Sequence, residues 1–321
     1  MARPISIQRL FALTGLFTVL LLLVLGRSAM GQNEAGLAGK PRSFNTADEA
    51  AAALVRAAET YDVQSLNDIF GPNSNDVINT GEPGQDKAIA EEFVAQARTK
   101  MDVILDPKNR RRAIVTIGND NWPFAIPIIR QASGKWAFDA NQGRQELLFR
   151  RIGRNEIDAI DICLGFVEAQ HRYALTKHDG AKVNQYAQRI ISTPGKQDGL
   201  AWQNGDGTWG GSIGERAAKA LEGAIQGAPA PFHGYYFKVL TGQGPAAPLG
   251  QLDFVQKGAM IGGFALVAYP ANYQITGVKS FMVSHDGVVY EKDLGPKTAD
   301  IVKGIDRYNP DRSWRPIAKS N

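Results

Sequence analysis

The chain has 321 residues, enough for two ordinary domains, with 44% hydrophobic residues, 21% charged residues and a formal net charge of +4. These proportions are typical of a protein that buries a core, and they exclude a disordered chain and a polytopic membrane protein. The positive charge does not indicate nucleic-acid binding, because no basic stripe accompanies it. The one basic run, "KNRRR" at residues 108–112, is predicted to be a solvated turn.

The first 31 residues have the features of a secretory signal peptide. Arg3 and Arg9 precede an apolar run from Leu10 to Leu25, and Ala29-Met30-Gly31 resembles a cleavage site of small residues. An uncleaved membrane anchor is the alternative, although this run of 16 residues is shorter than the ~20 residues of a typical span. We expect removal of residues 1–31, export to the periplasm or the extracellular space, and no stable membrane span in the mature chain.

Residues 32–42 are predicted to form a loose leader, and residues 43–149 an N-terminal α+β domain. Three helical patterns come first: "TADEAAAALVRAAETYD", capped by Thr46 with Glu49 as a capping box, then "VQSLNDIFG", capped by Asp62, and "KAIAEEFVAQARTKM". Two apolar segments, "RRAIVTIG" and "WPFAIPIIRQASGKWAFDA", follow as antiparallel strands with a hairpin at Ser133-Gly134-Lys135. Helices followed by a hairpin indicate a small α+β domain, and a helix-wrapped cone is one arrangement that this order permits.

Residues 150–321 are predicted to form a second domain, a long helix packed on an antiparallel sheet. Gly153 is expected to break the chain before the helical pattern "NEIDAIDICLGFVEAQHRYAL", which contains Cys163, the single cysteine. One cysteine excludes an intramolecular disulfide, and apolar neighbours favour core packing over a nucleophile. Strands are predicted in "GYYFKVLTG", "GFALVAYP" and "GVKSFMVSHDGVVYEKDLG". The domain boundary is therefore placed near residue 150.

The segment "SHDGVVYEKDLG", residues 284–295, contains a histidine and several acidic residues, so it is either part of an active site or a tight turn. Asp286-Gly287 between two alternating runs is a strong hairpin signal, because a type I′ turn needs positive φ at both central residues. We therefore predict a structural turn in which His285 is not catalytic. In that turn, His285 and Asp286 need only solvent as a partner.

Few residues are candidates for a functional site. Five aromatic residues are predicted to line a groove for a sugar or a peptide, although alternating aromatics also pack in half-buried strands: Trp202, Trp209, Tyr235, Tyr236 and Tyr269. His171 and His178 share a helix face and are a weak candidate for a metal site, which would lack a third and a fourth ligand. No catalytic residue and no cofactor is predicted, because the Gly-rich segment "NGDGTWGG" at residues 204–211 has the spacing of a flexible surface loop and lacks the GK[ST] of a P-loop.

Several blocks of the sequence together resemble a family of exported bacterial proteins that is classed as a domain of unknown function. They are "LNDIFGPNSNDVINTGE", "RRIGRNEIDAI" and the segment from "DGLAW" to "YEKDLGPKTADI". The resemblance implies export and no particular reaction. A weaker similarity, in "NEIDAI", "AQHRYA", "GYYFKV" and "SFMVSHDGVVYE", is to the head of type IV pilins and pseudopilins, which implies a helix packed across an antiparallel sheet. In pilins that helix continues from a membrane segment, whereas here a whole domain precedes it.

The sequence therefore predicts an exported bacterial envelope protein that binds or scaffolds a partner, with an envelope protein, a peptide or a glycan as the candidates. The alternative is a cell-envelope hydrolase whose carboxylates come together only on folding, which a sequence does not reveal. A close Asp/Glu pair in a deep cleft would favour the hydrolase, and an aromatic-lined surface would favour binding.

Overall fold

A computed structural model describes residues 39–215, 217 and 230–317. The helices of this part of the chain are α1 (Ala47–Glu59), α2 (Val63–Phe70), α3 (Asn75–Ile78), α4 (Pro83–Thr99), α5 (Ala140–Tyr173) and α6 (Thr298–Lys303). The strands of the first half are β1 (Met101–Asp106), β2 (Asn109–Ile117), β3 (Trp122–Pro123), β4 (Ile128–Arg130) and β5 (Trp136–Phe138). The predicted signal peptide and residues 32–38 of the predicted leader lie outside the described residues.

The second half carries the remaining strands. They are β6 (Arg189–Ile191), β7 (Gly199–Gln203), β8 (Trp209–Gly211), β9 (Tyr235–Leu240), β10 (Gly242–Gln243), β11 (Leu252–Asp253), β12 (Val255–Gln256), β13 (Ala259–Met260), β14 (Ala265–Pro270), β15 (Lys279–Ser284), β16 (Val289–Asp293), β17 (Arg307–Tyr308) and β18 (Arg315–Pro316). No helix within the described ranges is long and apolar enough to cross a lipid bilayer.

The first hydrophobic core lies between helices and an antiparallel sheet. The sheet has the order β1-β2-β4-β5, with β3 beside β2. Helix α1 begins at Thr46, whose hydroxyl accepts a hydrogen bond from the Glu49 N–H, while the Glu49 carboxylate accepts one from the Asn45 N–H. The cap at Thr46 is the one that the sequence predicts, whereas the Glu49 carboxylate accepts from the residue before the cap, one position away from a standard capping box. The apolar face of α1, with Leu54 buried, then packs toward Ile128 in the same core.

The second core lies under a five-stranded antiparallel sheet of order β18-β16-β15-β14-β9. Helix α5 packs across β14, β15 and β16, and α6 packs against β14. Cys163 of α5 is fully buried in this core, and burial raises the pKa of its thiol to about 12. Smaller sheets, β6-β7-β8 and β11-β10-β17, lie in the same half of the chain. The predicted α+β class is confirmed, including a long helix packed on an antiparallel sheet.

Helix α5 runs without interruption through the predicted domain boundary. It spans 34 residues, with Leu147 packed against the first core and Ala159 buried in the second. The expected break at Gly153 is wrong, because tertiary packing at both ends of a helix outweighs the ~1 kcal/mol cost of one internal glycine. The division into domains at residue 150 stays a prediction.

Strands β15 and β16 form the predicted hairpin around Asp286-Gly287. The Gly287 N–H donates to the Ser284 carbonyl at 2.9 Å, and Gly287 has a φ of +71° while Asp286 has no positive φ. The turn is therefore not the two-residue type I′ form. The side chain of His285 also differs from expectation, because its ring lies edge-on to the rings of Phe254 and Phe264. Its Nδ1 is shielded from solvent without a hydrogen-bond partner among the described residues.

Candidate functional site

A pocket of about 330 Å³ lies at the C-terminal end of α5, beside the β7–β8 hairpin. It is lined by Arg172, Tyr173, Thr176, His178, Trp202, Gly211 and Ser212. Its volume is at the lower end of the ~300–1,000 Å³ that small-molecule sites occupy. A ligand of one or two sugar rings is therefore of suitable size.

Stacked rings form one wall of this pocket. The ring centroids of Tyr173 and His178 are 3.9 Å apart with an interplanar angle of 17°, and the His178 ring is 5.4 Å from that of Trp202. His178 is buried, and its Nε2 lies 3.0 Å from the Tyr173 carbonyl oxygen and 3.2 Å from the Thr176 hydroxyl. Its Nδ1 lies 3.3 Å from Oε1 of Gln197. Because both ring nitrogens have protein partners, the imidazole of His178 is fixed in place as part of the pocket wall.

The Tyr173 phenol anchors this wall from behind. Its hydroxyl donates a hydrogen bond to the Gln197 carbonyl. Burial, followed by the charges of Asp179 and Asp198, raises the pKa of Tyr173 to about 12. The phenol therefore stays protonated and donates throughout the physiological pH range.

Trp202 is held in place by the neighbouring strand. In the register of β7 and β8 it lies opposite Gly210, and a Cβ at Gly210 would be 2.6 Å from the indole Nε1. A side chain at residue 210 would thus displace the indole, which lies close over β8. Trp209 is paired with Gln203 in the same hairpin and does not line the pocket. Of the five predicted aromatic residues, Trp202 is the one in the pocket wall.

The other predicted aromatic residues lie elsewhere. Tyr235 is fully buried and its hydroxyl donates to the Lys279 carbonyl at 2.8 Å, so it is a core residue and lines no surface. Tyr236 and Tyr269 face each other across β9 and β14, with ring centroids 5.6 Å apart. Alternation along β9 points Tyr235 and Tyr236 to opposite faces, which is why the set does not form one groove.

The two candidate metal ligands are not brought together as a metal site. His171 lies on α5 with its ring 5.4 Å from Phe264 and 6.5 Å from Tyr186, whereas His178 belongs to the pocket wall. Within residues 39–215, 217 and 230–317, no group of three or more His, Cys, Asp or Glu side chains is arranged to hold a metal ion. His171 therefore has an aromatic environment.

Folding assembles a second cluster, which sequence reasoning missed, between α4, α5 and the turn before β9. Oε2 of Glu82 accepts a hydrogen bond from the His233 N–H at 2.7 Å, and Oε1 accepts one from the Gly234 N–H. Nδ1 of His233 lies 2.6 Å from Oδ2 of Asp158. Burial raises the pKa of Glu82, and the two N–H groups oppose that rise. Both Glu82 oxygens are thus used to hold the turn.

Neighbouring polar contacts extend this cluster across the two halves of the chain. Asn155 of α5 is buried, donates from Nδ2 to the Thr276 carbonyl at 2.9 Å, and accepts from Nε2 of Gln85 at 3.2 Å. A Cβ at Gly234 would lie 2.4 Å from Nδ2 of Asn155. Gly234 is therefore required for this close approach. No local sequence signal reveals the contact, because Glu82 and Gly234 are 152 positions apart.

Comparison with protein families gives a match over most of the chain. A family model described as a protein of unknown function (DUF2950) matches residues 41–317. No curated protein and no solved structure matches the chain. The resemblance to a domain of unknown function is thereby confirmed, and the similarity to the pilin head stays a prediction.

Proposed function

Because the chain belongs to the family of proteins of unknown function DUF2950, its activity has to be inferred from its own site, and we propose that it is an exported envelope protein that binds a glycan in the pocket at the end of α5. The observation that carries the proposal is the half-buried indole of Trp202 in the wall of a 330 Å³ pocket. The flat apolar face of an indole suits the C–H face of a sugar ring. Hydroxyl groups of Thr176 and Ser212 supply polar partners for such a ring.

The composition of the pocket favours binding over hydrolysis. Within the part of the chain that the structure describes, no residue lining the pocket carries a carboxylate, whereas glycoside hydrolases of the usual kind place two Asp or Glu side chains on either side of the scissile bond. We therefore propose a binding protein without enzymatic activity.

The proposal includes export with removal of residues 1–31, supported by the charged start, the short apolar run and the small residues before Gln32. N-terminal sequencing of the envelope-associated protein should begin at or near Gln32. An intact Met1 on a membrane-bound protein would contradict cleavage. The kinship with the pilin head also belongs to the proposal, and it is supported by the packing of α5 across β14, β15 and β16.

Glycan binding is tested with a pair of tryptophan variants from one hairpin. The wild-type protein, Trp202→Ala and Trp209→Ala are compared on an array of bacterial envelope glycans and then by calorimetry. We expect Trp202→Ala to lose about tenfold or more in affinity, because the stacking surface is removed, and Trp209→Ala to bind as the wild type does. Circular dichroism melts establish that both variants are folded.

Two results would contradict this proposal. One is a wild-type protein that binds no glycan on the array. The other is a folded Trp202→Ala variant with unchanged affinity. Since truncation of an indole can also loosen β7, Ser212→Ala offers a milder second change in the same pocket, with weakened binding expected there too.

One observation favours the hydrolase as a second candidate. The imidazole of His233 is held at Nδ1 by Asp158 and its side chain is 34% exposed, which is the arrangement of a general base oriented by a carboxylate. If this candidate holds, His233→Gln abolishes release of reducing sugar from envelope polysaccharide and leaves pocket binding intact. If the wild-type protein releases no reducing sugar, the binding proposal stands alone.

A further inference from the structure

We infer that the pocket selects glycans that carry a carboxylate, and that Arg172 is the residue that recognises it. This inference rests on the proposed glycan-binding function and adds the chemical class of the ligand. It is argued from the charges in and around the pocket.

Arg172 brings a positive charge to the pocket that no described residue neutralises. It lies in the last turn of α5, is exposed, and lines the pocket. Among the described residues its guanidinium has no ion pair and no hydrogen bond. By contrast, Arg154 of the same helix lies 3.1 Å from a carboxylate oxygen of Glu92. A free guanidinium presents a planar fork of N–H donors that matches a carboxylate.

The two acids whose charges act on Tyr173 each accept a hydrogen bond from a backbone N–H group. Asp179 accepts a hydrogen bond from the Gln197 N–H at 2.7 Å. Asp198 accepts one from the Thr193 N–H at 2.7 Å. Both carboxylates are therefore engaged by backbone groups of the loop behind the wall. Among the described lining residues, Arg172 is charged and none is an acid, so this part of the lining carries a positive charge.

The remaining groups of the pocket define how a ligand would lie. A sugar ring stacked on Trp202 has the Ser212 hydroxyl within the same pocket for one of its own hydroxyls. A carboxylate substituent on that ring then meets the fork of Arg172. A neutral sugar makes the first two contacts and lacks the third. The pocket should consequently discriminate between two sugars that differ only by an acidic group.

The test measures binding of matched sugars to the wild-type protein by NMR. The indole Nε1–H signal of Trp202, assigned with the Trp202→Phe variant, reports occupancy of the pocket. The probes are N-acetylmuramic acid with N-acetylglucosamine, and galacturonic acid with galactose. In each pair the acid should bind with an affinity about tenfold higher, the difference that a charge-assisted hydrogen bond provides. Added salt should reduce the difference.

Two variants assign the effect to the guanidinium. Arg172→Gln should bind the acid and the neutral sugar of each pair with equal affinity. Lys177→Gln removes the same charge from an exposed neighbouring residue that does not line the pocket, and it should keep the preference for the acids. A preference that survives in Arg172→Gln, or that disappears equally in Lys177→Gln, would overturn the role of Arg172.

The two levels of the proposal fail in different ways. If both members of each pair shift the Trp202 signal with equal affinity, the pocket binds glycans without selecting a carboxylate, and this inference alone is refuted. If no probe of either kind shifts the Trp202 signal, sugars do not occupy the pocket, and the proposed function is refuted together with the inference.

Discussion

Gly287 illustrates how a single residue sets the geometry of the β15–β16 hairpin. Its φ of +71° lies in the left-handed region, and a Cβ built on it has no neighbour within 4 Å. A side chain at residue 287 would therefore have enough space, but it would force the backbone to keep a conformation that is strained for residues other than glycine. A substitution at this position would therefore lower the stability of the protein through backbone strain and not through a steric clash.

We expect Gly287→Val to lower the free energy of unfolding by about 1–3 kcal/mol, the cost of a β-branched residue in that backbone region. Gly205→Val is the matched control, because Gly205 has equally open surroundings and no positive φ. It should change stability by no more than ~0.5 kcal/mol. Urea unfolding of both variants beside the wild type measures the difference. Equal losses in the two variants would show that backbone strain is not the cause.

The sequence predicts this turn but not the surroundings of its histidine. Asp-Gly between alternating runs is a local signal, because the turn geometry depends on adjacent residues. The ring of His285, in contrast, packs against Phe254 and Phe264, whose positions depend on the register of the whole sheet. A local pattern carries no information about such a neighbour.

At the scale of single elements, α5 contains glycines in two different environments. A Cβ at Gly143 would lie 2.7 Å from Cγ1 and 2.8 Å from Cα of Ile126, so the helix crosses that segment at very short distance. A Cβ at Gly153 or at Gly165 would have no neighbour within 4 Å. Helix propensity therefore acts alone at Gly153 and Gly165, and packing dominates at Gly143.

We expect Gly153→Ala to raise the free energy of unfolding by about 0.5–1 kcal/mol, because alanine loses less backbone entropy in a helix. Gly165→Ala should behave likewise, and Gly143→Ala should be destabilising because Ile126 would have to move. Thermal and urea unfolding of the three variants give the comparison. The interpretation fails if Gly143→Ala and Gly153→Ala shift stability in the same direction.

Long periodic elements were predictable from the sequence, and very short ones were not. Helices α1, α2 and α4 follow from apolar spacing and from caps such as Thr46 and Asp62, whose side chains accept hydrogen bonds in the structure. Strands of two or three residues, such as β10 to β13, are too short for any periodicity to appear. They form because distant segments meet, which is a property of the tertiary structure.

For the whole molecule, Glu82 is the carboxylate that connects the start of α4 to the turn before β9. Two effects compete at this residue. Burial raises its pKa, and hydrogen bonds from the N–H groups of Gly234 and His233 lower it, with burial the larger. A carboxyl group whose folded pKa is raised stabilises the fold fully below its unfolded pKa and loses that contribution as pH rises through the folded pKa.

The variant Glu82→Gln tests which effect is larger. Near pH 4, about the unfolded pKa of glutamate, the variant should be less stable than the wild type by about 1–3 kcal/mol, because the amide nitrogen of the substituted side chain cannot accept a hydrogen bond from one of the two N–H groups that Glu82 binds. As pH rises to 7, the wild type should lose stability relative to the variant. Urea unfolding at several pH values measures this trend. Glu91→Gln is the control, because the side chain of Glu91 is 66% exposed. A variant that instead weakens with rising pH would mean that the hydrogen bonds outweigh burial.

The candidate site belongs to this largest scale, which is why the sequence revealed only parts of it. Trp202 was predicted as an aromatic surface residue and His178 as a possible metal ligand, and the structure places both in one pocket. Arg172 had no signal of its own, because a charged residue at the end of a helix is ordinary. The hairpin of β7 and β8 has to pack against α5 before these side chains meet.

The continuity of α5 limits how the length of this chain can change. Each residue of an α-helix turns the following chain by about 100° and advances it by about 1.5 Å. One residue inserted between Leu147 and Ala159 would therefore rotate everything after it by more than a quarter of a turn. Glu82 would then face a different side of the second half, and its contact with His233 would be lost. Length changes in this segment preserve the angular phase only in steps of about seven residues, close to two full turns.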